Sequence, residues 1–187
     1  MRIGFALCGS YCSFDRVLKT LEKLREEYEI TPIMSENAYS TDTRFGTAEH
    51  FREKLRAICG GEIIHTIAQA EPIGPEKALD ALVIAPATGN TLAKLASGVN
   101  DTCVTMAVKA QLRNSLPVLI ALSTNDGLSI SAVNIGKLLT RRNVYFVPFS
   151  QDDCIGKPRS LVAEFELLPE AVSACLRGEQ LQPILRL

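Results

Sequence analysis

Hydroxyl and amide side chains that could bind a phosphate or another small anion are concentrated in short turns of this chain. The clearest turn, Pro86-Ala87-Thr88-Gly89-Asn90-Thr91, follows an apolar run at residues 81–85. Pro86 is expected to end that strand, because proline has no backbone donor for a ladder. Thr88, Asn90 and Thr91 offer acceptors at a helix N-terminus, and free backbone N–H groups there can meet an anion. One cap needs one such residue, so three of them favour a ligand site over capping alone.

A second turn of this kind occupies residues 8–13, Cys-Gly-Ser-Tyr-Cys-Ser. Gly9 N–H and the Ser10 hydroxyl could cradle a monophosphate, while a simple helix cap by Ser10 or Ser13 is the structural alternative. The turn is not a Gly-x-Gly-x-x-Gly fingerprint, so a dinucleotide is weakly supported. Ser35 ends the next apolar run, where an ordinary turn fits the local sequence equally well.

Composition limits the classes of function. A chain of 187 residues, 47% hydrophobic and 22% charged, fits a single globular domain over residues 1–187. Its net charge of −1 predicts no nucleic-acid partner, and no apolar run is long enough to predict a membrane span. The six cysteines form no Cys-x-x-Cys pair and have two histidines beside them, so we expect reduced thiols and no metal site.

The pattern of apolar residues predicts alternating strands and helices. Strands are expected at residues 3–7, 30–34, 62–65, 81–85, 118–122 and 144–147. Helices are expected at residues 14–28, 48–58, 90–96, 105–114, 132–140 and 160–176, with the last interrupted or restarted near Pro169. This alternation predicts a three-layer α/β domain of flavodoxin-like or Rossmann-like type, with a parallel sheet. The two turns should then meet at the carboxyl ends of the strands. Loops 41–47 and 150–159 are expected to be mobile.

Residues 86–91 resemble the Pro-Ala-Ser-Ala-Asn-Thr signature of the flavin-dependent cysteine decarboxylase-like superfamily of flavoproteins. Residues 96–101 are similar to its second characteristic stretch. Segments 123–126, 147–153 and 180–184 resemble one branch more closely, the B subunits of dipicolinate synthases from spore-forming bacteria. The resemblance covers residues 2–185. It implies FMN as cofactor, with contacts from Gly9, Ser10, Ser35, Pro86, Thr88, Asn90, Thr91 and Thr105. Asp101 could serve the cofactor or cap the following helix.

The resemblance also implies catalytic and substrate-binding residues. His65 occupies roughly the place of the decarboxylases' catalytic histidine, although the segment between it and the next strand is longer here. A structural role is the alternative for His65. Asn90 is the second catalytic candidate. Ser123, Thr124 and Asn125 fall where decarboxylases carry a Pro-Ala-Met-Asn clamp, of which only the Asn is kept. These three residues are the expected substrate contacts, together with Arg159 from a loop that also carries Lys157 and could close. The alternative for Arg159 is that it is an ordinary solvent-exposed loop residue. For Cys154, the favoured interpretation is an incidental thiol with no role in the chemistry.

The implied function is a part in dipicolinate synthesis during sporulation, in the cytoplasm of the mother cell. The reaction is a two-electron oxidation that converts a dihydrodipicolinate-type precursor, a small dicarboxylate, to dipicolinate. The implied partners are the dipicolinate synthase A protein, which carries a dehydrogenase-like domain, and further copies of this chain, in an assembly built on a trimer. One alternative is an FMN-dependent decarboxylase of a cysteine-derived acid. Another is a non-catalytic component that binds an anion and stabilises the A protein.

Overall fold

A twisted, mostly parallel sheet forms the middle layer of the computed structural model, which describes residues 1–186. Five parallel strands run in the order β2-β1-β3-β4-β5: β1 (Arg2–Leu7), β2 (Glu29–Met34), β3 (Ala81–Ala87), β4 (Val118–Thr124) and β5 (Val144–Phe146). Two short strands, β6 (Phe149–Ser150) and β7 (Leu161–Ala163), extend the sheet, and β7 pairs antiparallel with the carboxyl end of β4. The predicted α/β fold class is confirmed.

Among the described residues, eight α-helices lie on the two faces of the sheet. They are α1 (Phe14–Glu27), α2 (Glu36–Ser40), α3 (Ala48–Cys59), α4 (Ile67–Ala70), α5 (Gly89–Ser97), α6 (Cys103–Arg113), α7 (Ile130–Leu139) and α8 (Leu168–Leu176). The core under α1, α3 and α8 is separate from the core under α5, α6 and α7. Strands buried on both faces must be apolar throughout, which is why β3 and β4 are continuous apolar runs in the sequence. Within the described residues, no helix has the length and apolar character needed to cross a bilayer.

Three expectations about secondary structure are wrong. Residues 160–176 are not one helix, because residues 161–163 join the sheet as β7 and α8 begins only at Leu168. Pro169 then lies in the first turn of α8, where its missing N–H costs no hydrogen bond. Residues 62–65 pair with the sheet only through a single bridge between Ile64 and Ile33. Pro86 does not end β3, which continues to Ala87 with a shift of register after Ile84.

Candidate functional site

The strand order reverses direction between β1 and β3, which makes this point the switch of the sheet. The chain leaves β1 toward α1 on one face and leaves β3 toward α5 on the other, so a crevice opens between the two turns. The turns are joined by a hydrogen bond from Cys8 N–H to the Pro86 carbonyl at 3.2 Å. Gly9 and Thr88 both line the two clefts found here. The predicted convergence of the two turns is therefore confirmed.

The first cleft has a volume of about 460 Å³ and contains most of the predicted cofactor contacts. Gly9, Ser35, Thr88, Asn90, Thr91 and Thr105 all line it. The volume is within the range typical of small-ligand sites. The Gly9 N–H and the Asn90 side-chain amide make no hydrogen bond to any residue the structure describes. Both groups are thus available to a ligand such as FMN, and the residues present fit that cofactor.

Helix caps hold the hydroxyl groups of the first cleft in place. Thr88 Oγ1 accepts from Thr91 N–H at 3.2 Å, and Ser35 Oγ accepts from Ala38 N–H at 3.4 Å. Thr105 forms a capping box with Thr102, which is the N-cap of α6. These residues therefore both cap a helix and line the cleft, because the capping hydrogen bond fixes each side chain at the crevice.

The expectation that Asp101 could cap α6 is wrong, because Thr102 does so. Asp101 instead accepts from Lys94 Nζ at 2.8 Å, and this contact lowers the pKa of the Asp101 carboxyl. Lys94 lines the first cleft, and its positive charge is partly balanced by Asp101, which lies outside the cleft.

The second cleft, of about 440 Å³, contains a cluster of serine hydroxyls. Ser10 Oγ donates to Ser123 Oγ at 2.8 Å, and Ser13 Oγ lies 3.0 Å from the same atom. Ser10 precedes a short 3-10 turn, Tyr11–Ser13, and Ser13 precedes α1, but neither side chain makes a capping hydrogen bond, so the simple capping alternative is wrong. The backbone at the start of α1 is bonded within the preceding turn, since Ser13 N–H donates to the Ser10 carbonyl and Phe14 N–H to the Tyr11 carbonyl, so the hydroxyls are the polar groups that this turn offers to the cleft.

The second cleft has two cationic side chains in its wall, each of them paired with a carboxylate. Arg16 and Lys157 line it together with a single carboxylate, Asp152. Arg16 pairs with Glu166 at 2.8 Å, and Lys157 pairs with Asp152 at 2.9 Å. Burial works against ionisation of Asp152, but the Ser160 hydroxyl and the Lys157 ammonium outweigh it and lower the pKa of Asp152. Lys157 in turn has a raised pKa through its contact with Asp152, so it remains charged at neutral pH.

A compact network beneath the second cleft joins the turn after β3 to the turn after β4. Asp126 Oδ1 accepts from Thr124 Oγ1 at 2.5 Å and from Ser131 Oγ at 2.8 Å. Gly89 packs directly against it: a Cβ at this position would lie 2.8 Å from Thr124 Oγ1 and 2.9 Å from Asp126 Oδ1 and Ser131 Oγ. The network therefore requires glycine at position 89 and fixes the orientation of Thr124.

Comparison with known proteins agrees with this geometry. The family model named Flavoprotein matches residues 1–166. The chain belongs to the flavoprotein family. It is 44% identical to the B subunit of dipicolinate synthase of Bacillus subtilis (strain 168) over 185 residues, which is 98% of this chain and 92% of that protein.

Solved structures extend the comparison. The crystal structure of the dipicolinate synthase B subunit from Bacillus halodurans C has a TM-score of 0.91 at 43% identity, over 100% of this chain and 96% of that one. The FMN-dependent cysteine decarboxylase SpaF has a TM-score of 0.72 at 23% identity, over 95% of each chain, and so shares the fold. The resemblance read from residues 86–91 and 123–126 is confirmed.

Two residues predicted in this flavoprotein to be catalytic or cofactor-binding lie outside both clefts. His65 stacks on Tyr39 with ring centroids 3.8 Å apart, and its Nδ1 lies 3.1 Å from the Ile63 carbonyl. These contacts support the structural alternative, and catalysis by His65 stays a prediction. Pro86 is buried in β3 and supports the crevice through its carbonyl.

The predicted substrate contacts fall mostly in the second cleft. Ser123, Thr124 and Asn125 line it, whereas Arg159 does not. Arg159 instead donates to Ser129 Oγ at 3.1 Å. Its contact with a ligand stays a prediction, whereas Lys157, which was expected in the same loop, lines the cleft.

Several residues of the site were missed by sequence reasoning. Arg16 and Asp152 look like ordinary surface charges, and Ser160 was expected in a helix. No local signal could have placed Ser160 beside a strand, because Leu161 and Ala163 favour a helix and only Val162 favours a strand. Gly89 was expected in the turn, but its close packing was not. That packing is against residues that lie 35 or more positions away in the sequence.

Proposed function

We propose that this flavoprotein takes part in dipicolinate formation, with FMN in the first cleft and a small dicarboxylate in the second. The observation that carries the proposal is the 44% identity to the Bacillus subtilis dipicolinate synthase protein over 98% of the chain. The adjoining clefts support it, because Gly9 and Thr88 line both and two ligands would lie side by side.

In the first cleft, the chain would hold FMN through hydrogen bonds rather than through a cluster of charges. Gly9 N–H and the Ser35 hydroxyl are placed to meet the phosphate, and Thr88, Thr91 and the Asn90 amide to meet the rest of the molecule. FMN bound there would supply the acceptor for the two electrons that leave a dihydropyridine ring when it becomes aromatic.

In the second cleft, the chain would bind and orient the dicarboxylate. Lys157 and Arg16 supply positive charge, and the Asn125 amide supplies a neutral donor. The dihydro precursor must lose two hydrogens to an acceptor. Its ring would therefore have to lie against FMN, at the wall formed by Gly9 and Thr88 that the two clefts share. The hydroxyl cluster of Ser10 and Ser123 lies at that wall.

The proposal includes assembly and location. We propose the dipicolinate synthase A protein as partner, a homo-oligomer built on a trimer, and action in the cytoplasm of the mother cell during sporulation. The Bacillus subtilis relative is named as one of the subunits of a synthase, which supports a partner protein. Among the structural neighbours, DmrB of Burkholderia xenovorans is described as a cubic cage in complex with FMN, which supports self-assembly in this fold. Co-purification with the A protein and light scattering on the free chain would test these points.

The deciding experiment is titration of the purified chain with FMN, followed by flavin fluorescence. Asn90→Ala should weaken FMN binding about tenfold, because a lost hydrogen bond to a ligand costs roughly 1–2 kcal/mol. Asn134→Ala on α7, outside both clefts, is the matched control and should leave the affinity unchanged. Equal affinity in the Asn90 variant would remove this residue from the site.

A colourless chain that takes up no FMN but activates the A protein would refute the cofactor assignment. It would favour the non-catalytic, anion-binding alternative instead. The decarboxylase alternative predicts release of carbon dioxide from a cysteine-derived acid, and the loss of the Pro-Ala-Met-Asn clamp at residues 122–125 speaks against it.

A further inference from the structure

A third cleft, of about 280 Å³, lies beside the C-terminal ends of α5 and α6 and shares no residue with the first two. Its wall contains three cationic side chains, those of Lys109, Arg113 and Arg141, and no carboxylate. Each of four other clefts within residues 1–186 has at least one carboxylate in its wall. The third cleft is thus a concave surface whose charge has a single sign.

The surrounding layer of helices supplies no counterion for these cations. None of the three forms an ion pair with a described residue, although ion pairs are common elsewhere in the chain. Helices α5, α6 and α7 contain no Asp or Glu. Residues 81–151 contain six Lys and Arg against two Asp, a net charge of +4 in a chain whose total is −1. Both carboxylates, Asp101 and Asp126, are already bonded to other side chains.

The fold holds the three cations around one opening. Lys109 and Arg113 are one helical turn apart on α6, so their side chains leave the same face of the helix. Arg141 Nη1 donates to the Leu95 carbonyl at 3.2 Å, which fixes the guanidinium at the end of α5. A guanidinium has five N–H donors, so Arg141 keeps others for a ligand. All three cationic residues are exposed and can be reached from solvent.

The remainder of the wall is mainly apolar. Leu95 and Val108, each only 4% exposed, line the cleft together with the half-buried Leu112. The Asn100 side chain donates to the Gly98 carbonyl at 2.8 Å, within the wall itself. A bare inorganic ion would meet the cations but leave the apolar surface in water. A ligand with an apolar body would cover that surface and gain affinity from its burial.

We propose that the third cleft binds a small organic polyanion, a compound with two or three carboxylates on an apolar body. The carboxylates accept charge-assisted hydrogen bonds from Lys109, Arg113 and Arg141, and the body rests on Leu95 and its apolar neighbours. This inference goes beyond the proposed function and does not depend on it, because the third cleft has no residue in common with the cofactor and dicarboxylate clefts.

Protection from phenylglyoxal, a reagent for arginine, tests the site on the full chain with residue resolution. Arg113, Arg141 and Arg142 are all exposed, so mass spectrometry should find an adduct on each in the free chain. Benzene-1,3,5-tricarboxylate should protect Arg113 and Arg141 and leave Arg142 reactive, because Arg142 is not part of the cleft. This readout is insensitive to any probe that binds in the second cleft.

Two comparisons separate the charges from the apolar wall. Lys109→Gln should raise the tricarboxylate concentration for half-protection about tenfold, since one charge-assisted hydrogen bond is lost. Lys137→Gln, which removes an exposed cation outside the cleft, is the matched control and should leave that concentration unchanged. Inorganic pyrophosphate, which has a similar charge and no apolar body, should need about tenfold more for the same protection.

Four results would overturn the inference. Lack of protection at millimolar tricarboxylate would show that the third cleft is not a site. Equal protection of Arg142 would indicate loose association with a basic surface. The same half-protection concentration in Lys109→Gln and wild type would remove the role of the cations, and equal protection by pyrophosphate would remove the role of the apolar body. The FMN titration and the dicarboxylate kinetics remain separate tests of the proposed function.

Discussion

Replacing Gly89 by alanine should destabilise the protein, although alanine is ordinarily the better residue in a helix. Gly89 begins α5, and a Cβ there would lie within 2.9 Å of three oxygens, those of Thr124, Asp126 and Ser131. These oxygens belong to one hydrogen-bonded network, so the methyl group cannot be accommodated by moving a single flexible side-chain end. Either the network opens or α5 shifts away from β4.

The expected cost follows from the contacts. Overpacking a well-filled site costs about 1–3 kcal/mol, and a hydrogen bond to a charged group is worth about 1.5–3 kcal/mol. Helix propensity returns at most about 1 kcal/mol, and less at the first position of a helix. If one of the two bonds to Asp126 is lost, we expect the free energy of unfolding to fall by about 2–4 kcal/mol.

Urea denaturation followed by circular dichroism measures this change, with an unchanged m-value showing that the denatured state is the same. Gly136→Ala is the matched control, because Gly136 lies within α7 and a Cβ there would meet nothing within 4 Å. This control should gain up to about 1 kcal/mol. A Gly89→Ala variant as stable as wild type, or stabilised like the control, would refute the reasoning.

Buried and charged groups elsewhere in the chain give three further predictions. Gln111→Met should raise the free energy of unfolding by about 1–3 kcal/mol, because the fully buried amide has no partner among the described residues; a loss of stability in urea denaturation would contradict this. Iodoacetamide at pH 8 should label Cys12 and Cys154, which are exposed, and spare the four buried thiols, whose pKa burial raises to about 11 or 12. Mass spectrometry counts the adducts, and more than two before unfolding would disprove it. With the A protein present, Lys157→Ala should raise KM for the dicarboxylate more than Arg159→Ala does, since only Lys157 lines the cleft; the reverse order of KM values would return Arg159 to the site.

The sequence was enough to predict the elements whose pattern is local. The helical spacing of Val17, Leu21 and Leu24 identified α1, and the apolar run of β3 followed by small polar residues identified the turn before α5. Because parallel strands have their carboxyl ends on one edge, the meeting of the two turns also followed. Thr88, Asn90 and Thr91 could be selected on this basis alone.

What could not be predicted depends on contacts between distant parts of the chain. β7 is three residues long and becomes a strand only by pairing with the end of β4, so a helix was expected in its place. The position of Ser160 at the second cleft follows from that pairing. The same applies to Ser10 and Ser13, which local rules assign to capping and which instead meet Ser123 across the crevice. A local pattern shows that a side chain is polar, whereas tertiary contacts decide which partner it has.

Glycine at position 9 connects these observations to the proposed ligands. Gly4 is explained by packing, because a Cβ there would lie 2.5 Å from Leu79, and Gly89 is explained by the network at Asp126. Gly9 has neither explanation: its φ is not positive, and the atom nearest to a Cβ there would be in the Tyr11 ring, at an ordinary 3.5 Å. The fold therefore tolerates a side chain at this position, but a ligand that approaches the backbone N–H closely does not. Since Gly9 lines both clefts, a side chain there would stand between two ligands whose reacting atoms must come within about 3–3.5 Å.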